Sequence, residues 1–176
     1  GHMNAVGYDL YCKMLSEAVK EAKGIQTMDD FETTIDLVMD AFIPDTYISN
    51  EFQKLDIYKR IAGIESQQDY DEMLEELIDR FGEPPKAVLN LLAIARLKAL
   101  AHQAYITEIK QTSRECRITL YENAKINPAG IPPLMEKYRR SLQLKNDQTP
   151  KFLFAPVGPV VPALTRFAEE LLELVE

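Results

Sequence analysis

Apolar positions first recur at helical spacing over residues 8–23, where Tyr11, Met14, Leu15, Ala18, Val19 and Ala22 share one face. Gly24 supplies a C-terminal stop, and the stretch to Phe31 reads as a loop. The period then changes. From Thr33 to Ile43, the residues Ile35, Leu37, Met39 and Ala41 alternate with Thr34, Asp36, Val38 and Asp40, which predicts a strand ended by Pro44. Three helices are predicted next. The first runs from Asn50 to Ile64, with Phe52, Leu55, Tyr58, Ile61 and Ala62 on one face. The second runs from Gln68 to Phe81, turns Tyr70, Met73, Leu74, Leu77, Ile78 and Phe81 inward, and is capped by Gly82. Pro84 and Pro85 open the third, where a missing N–H costs nothing. That helix, to Gln103, is apolar almost all round and is expected to be central and buried.

The last third has a different rhythm. Tyr105–Gln111 and Cys116–Tyr121 alternate on either side of a short polar turn, predicting a β-hairpin. Asn127 and Pro128 start a helix reaching Ser141. Lys151–Ala155 reads as a short strand, Pro156–Pro162 as a rigid loop around Gly158, and Val161–Val175 as a final amphipathic helix. Helices and strands mix without a βαβ rhythm and without an internal repeat. The expected class is α+β, several helices packed with a small, mostly antiparallel sheet.

At 176 residues and 46% hydrophobic content, the chain suits one compact domain. Gly1, His2 and Met3 read as an expression-tag remnant, and residues 4–176 as a single domain taken from a longer protein. No apolar run approaches the roughly 20 residues needed to cross a bilayer. Cys12 and Cys116 fit no metal spacing and suggest free thiols in the core of a protein from a reducing, cytoplasmic compartment.

Catalysis finds little support. Outside the tag the only histidine is His102, on the apolar third helix, where a core or boundary role is expected. The seven glycines are scattered and form no phosphate loop. No catalytic, cofactor-binding or metal-binding residue is assigned, although composition alone leaves a carboxylate-only site open. Lys137, Arg139, Arg140 and Lys145 form a small basic cluster without interleaved aromatics, which reads as solvated surface. The net charge of −8 argues against a nucleic-acid surface.

That charge is uneven, with eight acidic residues and one basic residue, Arg80, between Glu65 and Glu83. On the second helix Glu72, Glu75, Glu76 and Asp79 fall on a stripe about 100° wide, facing away from the apolar side. Glu76 and Asp79 are expected to point to solvent. Such a stripe is either a solvated face or a negative field suited to a basic partner.

Several ordered motifs then resemble one family. Glu76-Leu77-Ile78-Asp79-Arg80-Phe81-Gly82 followed by Pro85, and Tyr58-Lys59-Arg60-Ile61-Ala62 before it, are similar to the C-terminal domain of transcription-repair coupling factors. Asp40-Ala41-Phe42-Ile43-Pro44 with Tyr47-Ile48, the Gly7-Tyr8, Leu10-Tyr11 and Met14-Leu15 pattern, and Ile94-Ala95-Arg96-Leu97 complete the series. The resemblance is strong over residues 7–98 and diffuse afterwards. The turn from Gln111 to Glu115 lacks the expected glycines.

The resemblance implies a regulatory, autoinhibitory domain without an active site or cofactor of its own. It implies a parent that is an ATP- and Mg-dependent translocase on double-stranded DNA. That parent would displace stalled RNA polymerase in nucleotide excision repair and recruit UvrA. The domain would pack on a UvrB-like N-terminal module of the same protein and hide its UvrA-binding face. The family's acidic contact residues map onto Glu76 and Asp79, and the helical geometry extends the set to Glu72 and Glu75. The isolated domain is expected to be a monomer. Two other classes remain at this point, a generic acidic protein-interaction domain of unknown parent and an enzyme with a carboxylate site.

Overall fold

The computed structural model describes residues 31–176. The helix predicted over residues 8–23, with its Gly7–Leu15 motif and Cys12, lies outside the described residues. The chain divides into two compact units, one containing Met39–Arg96 and the other Phe31–Val38 with Leu97–Glu176.

The first unit is helical. Helix α1 (Glu51–Ala62) starts where Asn50, in an extended conformation, accepts the Gln53 N–H at 3.0 Å through its side chain. Helix α2 (Gln67–Phe81) starts in the same way. The Ser66 hydroxyl accepts the Asp69 N–H at 3.1 Å, while the Asp69 carboxylate accepts the Glu65 N–H at 3.0 Å. These reciprocal bonds satisfy donors that a helix start leaves orphaned. Gly82 ends α2 with φ +88° and ψ −171°, a region essentially reserved for glycine. Tyr47 fastens this end, its hydroxyl lying 2.8 Å from the Gly82 carbonyl and 3.2 Å from that of Leu77. Helix α3 (Lys86–Gln103) follows the predicted proline start.

The buried side chains of this unit include Ile57 and Ile61 of α1, Met73 and Leu77 of α2, and Val88, Leu91, Leu92 and Ile94 of α3. Ile43 and Ile48 join them from the preceding loop. That loop is tied down by the Ile43 N–H donating to the Tyr58 hydroxyl (2.9 Å) and the Phe42 N–H to the Ala87 carbonyl (3.2 Å).

The second unit is built on a five-stranded sheet of order β1-β2-β3-β5-β4. Its strands are β1 (Thr34–Asp36), β2 (Ile106–Gln111), β3 (Cys116–Leu120), β4 (Leu142–Asn146) and β5 (Pro150–Phe154). Only β1 and β2 pair in parallel, and the other neighbours are antiparallel. The predicted hairpin is therefore β2–β3. Its register shifts between Ile106 and Glu108, so a bulge at Thr107 puts both Ile106 and Ile109 inside despite their odd spacing.

Two of the predicted elements need correction. The strand expected over Thr33–Ile43 is three residues long, because β2 offers Ile35 and its neighbours a ladder only from Glu108 to Lys110. Beyond it the Val38 N–H turns to the Gln111 side chain at 2.9 Å. The helix expected from Asn127 to Ser141 is a 3-10 turn (Pro128–Gly130), helix α4 (Ile131–Tyr138) and a second 3-10 turn (Arg139–Ser141). The last turn leads into β4, a strand the sequence pattern did not predict.

Helix α5 (Val160–Leu172) buries Val161, Leu164, Phe167, Ala168 and Leu171. Phe167 meets Phe152 edge-on at 5.3 Å and stacks on Phe154 at 5.4 Å, and Tyr138 contacts both Phe154 and Phe167 edge-on. The chain's last residues return to the start of the 3-10 turn. Asn127 N–H donates to the Leu174 carbonyl and Glu176 N–H to the Lys125 carbonyl, both at 2.8 Å.

Candidate functional site

Helix α2 carries all four residues singled out as a partner-binding stripe, and the structure divides them. Glu72, Glu75 and Asp79 are exposed. Glu76 is only partly exposed and does not stand free in solvent as expected. It is half-buried, with both carboxylate oxygens engaged by Arg60 of α1, Arg60 Nη2 donating to Oε1 at 2.6 Å and Nη1 to Oε2. Arg80, one turn further along α2, donates to the same Oε2 at 3.0 Å. The bidentate Arg60 bond is the main reason the Glu76 carboxyl is held at about 2, well below its ordinary 4.5, and Arg80 adds to the effect.

The physical reason for the correction is angular. Met73 and Leu77 define the buried side of α2, and Glu76 precedes Leu77 by about 100°. It therefore lies on the flank of the helix, where α1 can reach it, whereas Glu75 lies almost opposite the core. Arg80 was legible as a partner from its i,i+4 spacing. Arg60 was not, since nothing in one helix's periodicity announces a neighbour from another.

The Glu76 network gives a pH prediction. The folded protein keeps this carboxyl ionised where the unfolded chain protonates it, so the network's stabilisation is complete above about pH 4.5 and disappears as pH falls toward 2. Urea unfolding of the chain and of its Glu76→Gln variant should differ by about 1 kcal/mol near neutral pH, the scale of an exposed ion-pair network. The two should converge at low pH. A difference that persisted unchanged to pH 2.5 would show that the carboxylate's charge is not what matters.

The remaining candidates are structural. His102 Nδ1 lies 3.1 Å from the Thr33 hydroxyl, which lies 2.6 Å from the Ile106 carbonyl. The hydroxyl has one proton and the carbonyl accepts it, so His102 donates from Nδ1. Its ring packs on Phe31 with centroids 4.5 Å apart, the boundary role expected. Cys116 is a buried free thiol of β3, pushed up to about 11 by burial, which makes it a poor nucleophile. In the basic cluster Lys137 pairs with Glu170 at 2.7 Å, while Arg139, Arg140 and Lys145 are exposed. Among the described residues no group of His, Cys, Asp and Glu side chains could hold a metal ion, and no helix is long and apolar enough to cross a membrane.

Chemically, the arrangement defines an α+β module whose most distinctive surface is one charged helix face. The TRCF domain family model matches residues 37–131, which include α1, α2 and α3. The transcription-repair-coupling factor of Bacillus subtilis (strain 168) is 40% identical over 147 residues, 82% of this chain. That of Staphylococcus aureus (strain USA300) is 39% identical over 132 residues, 74% of this chain. The chain thus belongs to the TRCF domain family of transcription-repair coupling factors. It spans only 12% and 11% of the length of these two relatives. A crystal structure of the C-terminal domain of transcription-repair coupling factor superposes with a TM-score of 0.75 at 26% identity, covering 84% of this chain and 97% of that one.

Proposed function

We propose that this chain is the regulatory docking domain of a transcription-repair coupling factor. It packs on the UvrB-like N-terminal module of the same protein and covers the surface which that module presents to UvrA. In this reading the rest of the protein is an ATP- and Mg-dependent motor on double-stranded DNA that displaces stalled RNA polymerase in the cytoplasm. The chain itself performs no catalytic step and takes no cofactor.

The observation that carries the reading is the exposed acidic face of α2, Glu72, Glu75 and Asp79, within the span matched by the family. Like charges at i,i+3 and i,i+4 weaken a helix by a few tenths of a kcal/mol each. A basic partner would relieve that repulsion and gain complementarity. A closed state favoured by a few kcal/mol would hold at rest and still open when the motor engages polymerase.

Glu76 is a poor choice for testing this face, since its reversal would place a lysine between Arg60 and Arg80. Glu75→Lys with Asp79→Lys is the cleaner probe. In full-length coupling factor the pair should raise UvrA affinity tenfold or more without polymerase, because like charges across an interface cost several kcal/mol. Thermal melting should be nearly unchanged, as is usual for exposed positions. Unchanged UvrA affinity with a normal melt would falsify the docking role of this face.

A further inference from the structure

Glu72, Glu75 and Asp79 of α2 are exposed, and exposed ion pairs stabilise a contact by only about 0–1 kcal/mol each. Charge can orient a partner on this face but supplies little of the energy that holds it. The same helix offers something better suited to that task. Ile78 is 39% exposed, although its neighbour Leu77 is fully buried. It stands between Glu75 and Asp79 in sequence, three residues after the first and one before the second. On the helix surface its i−4 and i+3 neighbours are Leu74 and Phe81, both half-buried. Leu74, Ile78 and Phe81 thus form an apolar strip that leaves the core side of α2 and surfaces at Ile78, beside the acidic face.

We infer that Ile78 is the apolar anchor of the α2 docking surface. The occupant it fits is a basic surface of the N-terminal module, one that presents arginine or lysine side chains around an apolar recess. This inference rests on the docking role proposed above. Charge complementarity argues for that occupant. A partner meeting Ile78 also meets Glu75 and Asp79, its neighbours on α2, and an acidic or purely apolar surface would be repelled or left facing unpaired carboxylates. A few side chains that lose their water on docking carry most of the affinity in protein interfaces, and the polar contacts around them contribute little. The division of labour is specific. The acids set orientation and salt dependence, and Ile78 sets the lifetime of the closed state.

The test uses full-length coupling factor and UvrA affinity as the readout of opening, measured over a series of salt concentrations. Ile78→Gln, close in size but polar, should raise UvrA affinity roughly fivefold to tenfold while leaving the salt dependence of the remaining closure unchanged, since no charge is altered. Ile78→Met, which retains an apolar side chain, should stay near the parent. Glu75→Lys with Asp79→Lys should open the protein and flatten the salt dependence. If the charge reversal opens the protein and Ile78→Gln does not, the anchor is overturned while the docking role stands. If neither variant changes UvrA affinity, the docking role itself fails and the anchor with it. A melt of Ile78→Gln lowered as far as that of a core truncation would place Ile78 in the core, and would also overturn the inference.

Discussion

Replacing Phe167 by alanine should cost the second unit about 3–5 kcal/mol, the usual range for removing a buried aromatic side chain. Phe167 is fully buried and touches three other rings, Tyr138, Phe152 and Phe154. It joins α5 to β5 and to the end of α4, so the void left behind cannot be filled by one neighbour swinging across. Whole domains are stable by only about 5–15 kcal/mol, so the loss is a large share of what is available. Denaturant unfolding followed by circular dichroism measures it. Phe167→Leu, which retains most of the apolar volume, should recover a good part of the loss. A cost below about 1 kcal/mol for the alanine variant would show that the ring cluster does not hold α5 in place.

Leu77→Ala should be nearly as damaging in the first unit, at about 2–5 kcal/mol. Leu77 is fully buried on the inner side of α2. Its value as an experiment lies in comparison with Glu75→Lys on the opposite side of the same helix. There the side chain is exposed and the change should fall within about 0.5 kcal/mol. Two positions two residues apart would then differ severalfold in unfolding free energy. Similar costs at both would mean that α2 is rotated about its axis from the orientation described.

That orientation was readable in the sequence because several local signals agree. The apolar period and the Gly82 stop mark one helix, and Met73 and Leu77 could face only inward. The hairpin of β2 and β3 was legible for a similar reason, and the bulge at Thr107 altered its register without hiding it. Strand β4 was missed because it is an edge. Only Leu142 is buried, and Gln143, Leu144, Lys145 and Asn146 are exposed, so its composition resembles a loop. The charge of Lys145 is the kind of feature that keeps an open edge from pairing with other chains. The first strand was overextended because alternation in sequence continued past the point where a neighbouring strand was available. In the candidate site, Glu72, Glu75 and Asp79 were placed correctly on the outer side by periodicity alone. Glu76 was not, because its partner Arg60 comes from another helix and only the packing of α1 on α2 reveals it.

The return of the chain's last residues to Lys125–Asn127 has a consequence for how the second unit can come apart. The two backbone bonds there, with the Ile126–Val175 bridge, close a noncovalent ring that contains α4, β4, β5 and α5. The entropy of closing such a ring rises only slowly with its length, so four elements are enclosed at little more cost than two. Leu174 also lies against Gly130, where a Cβ would meet its methyl group at 2.2 Å. If the seam closing this ring opens as one unit, the amide protons of Asn127 and Glu176 should exchange with solvent in step although 49 positions separate them in the sequence.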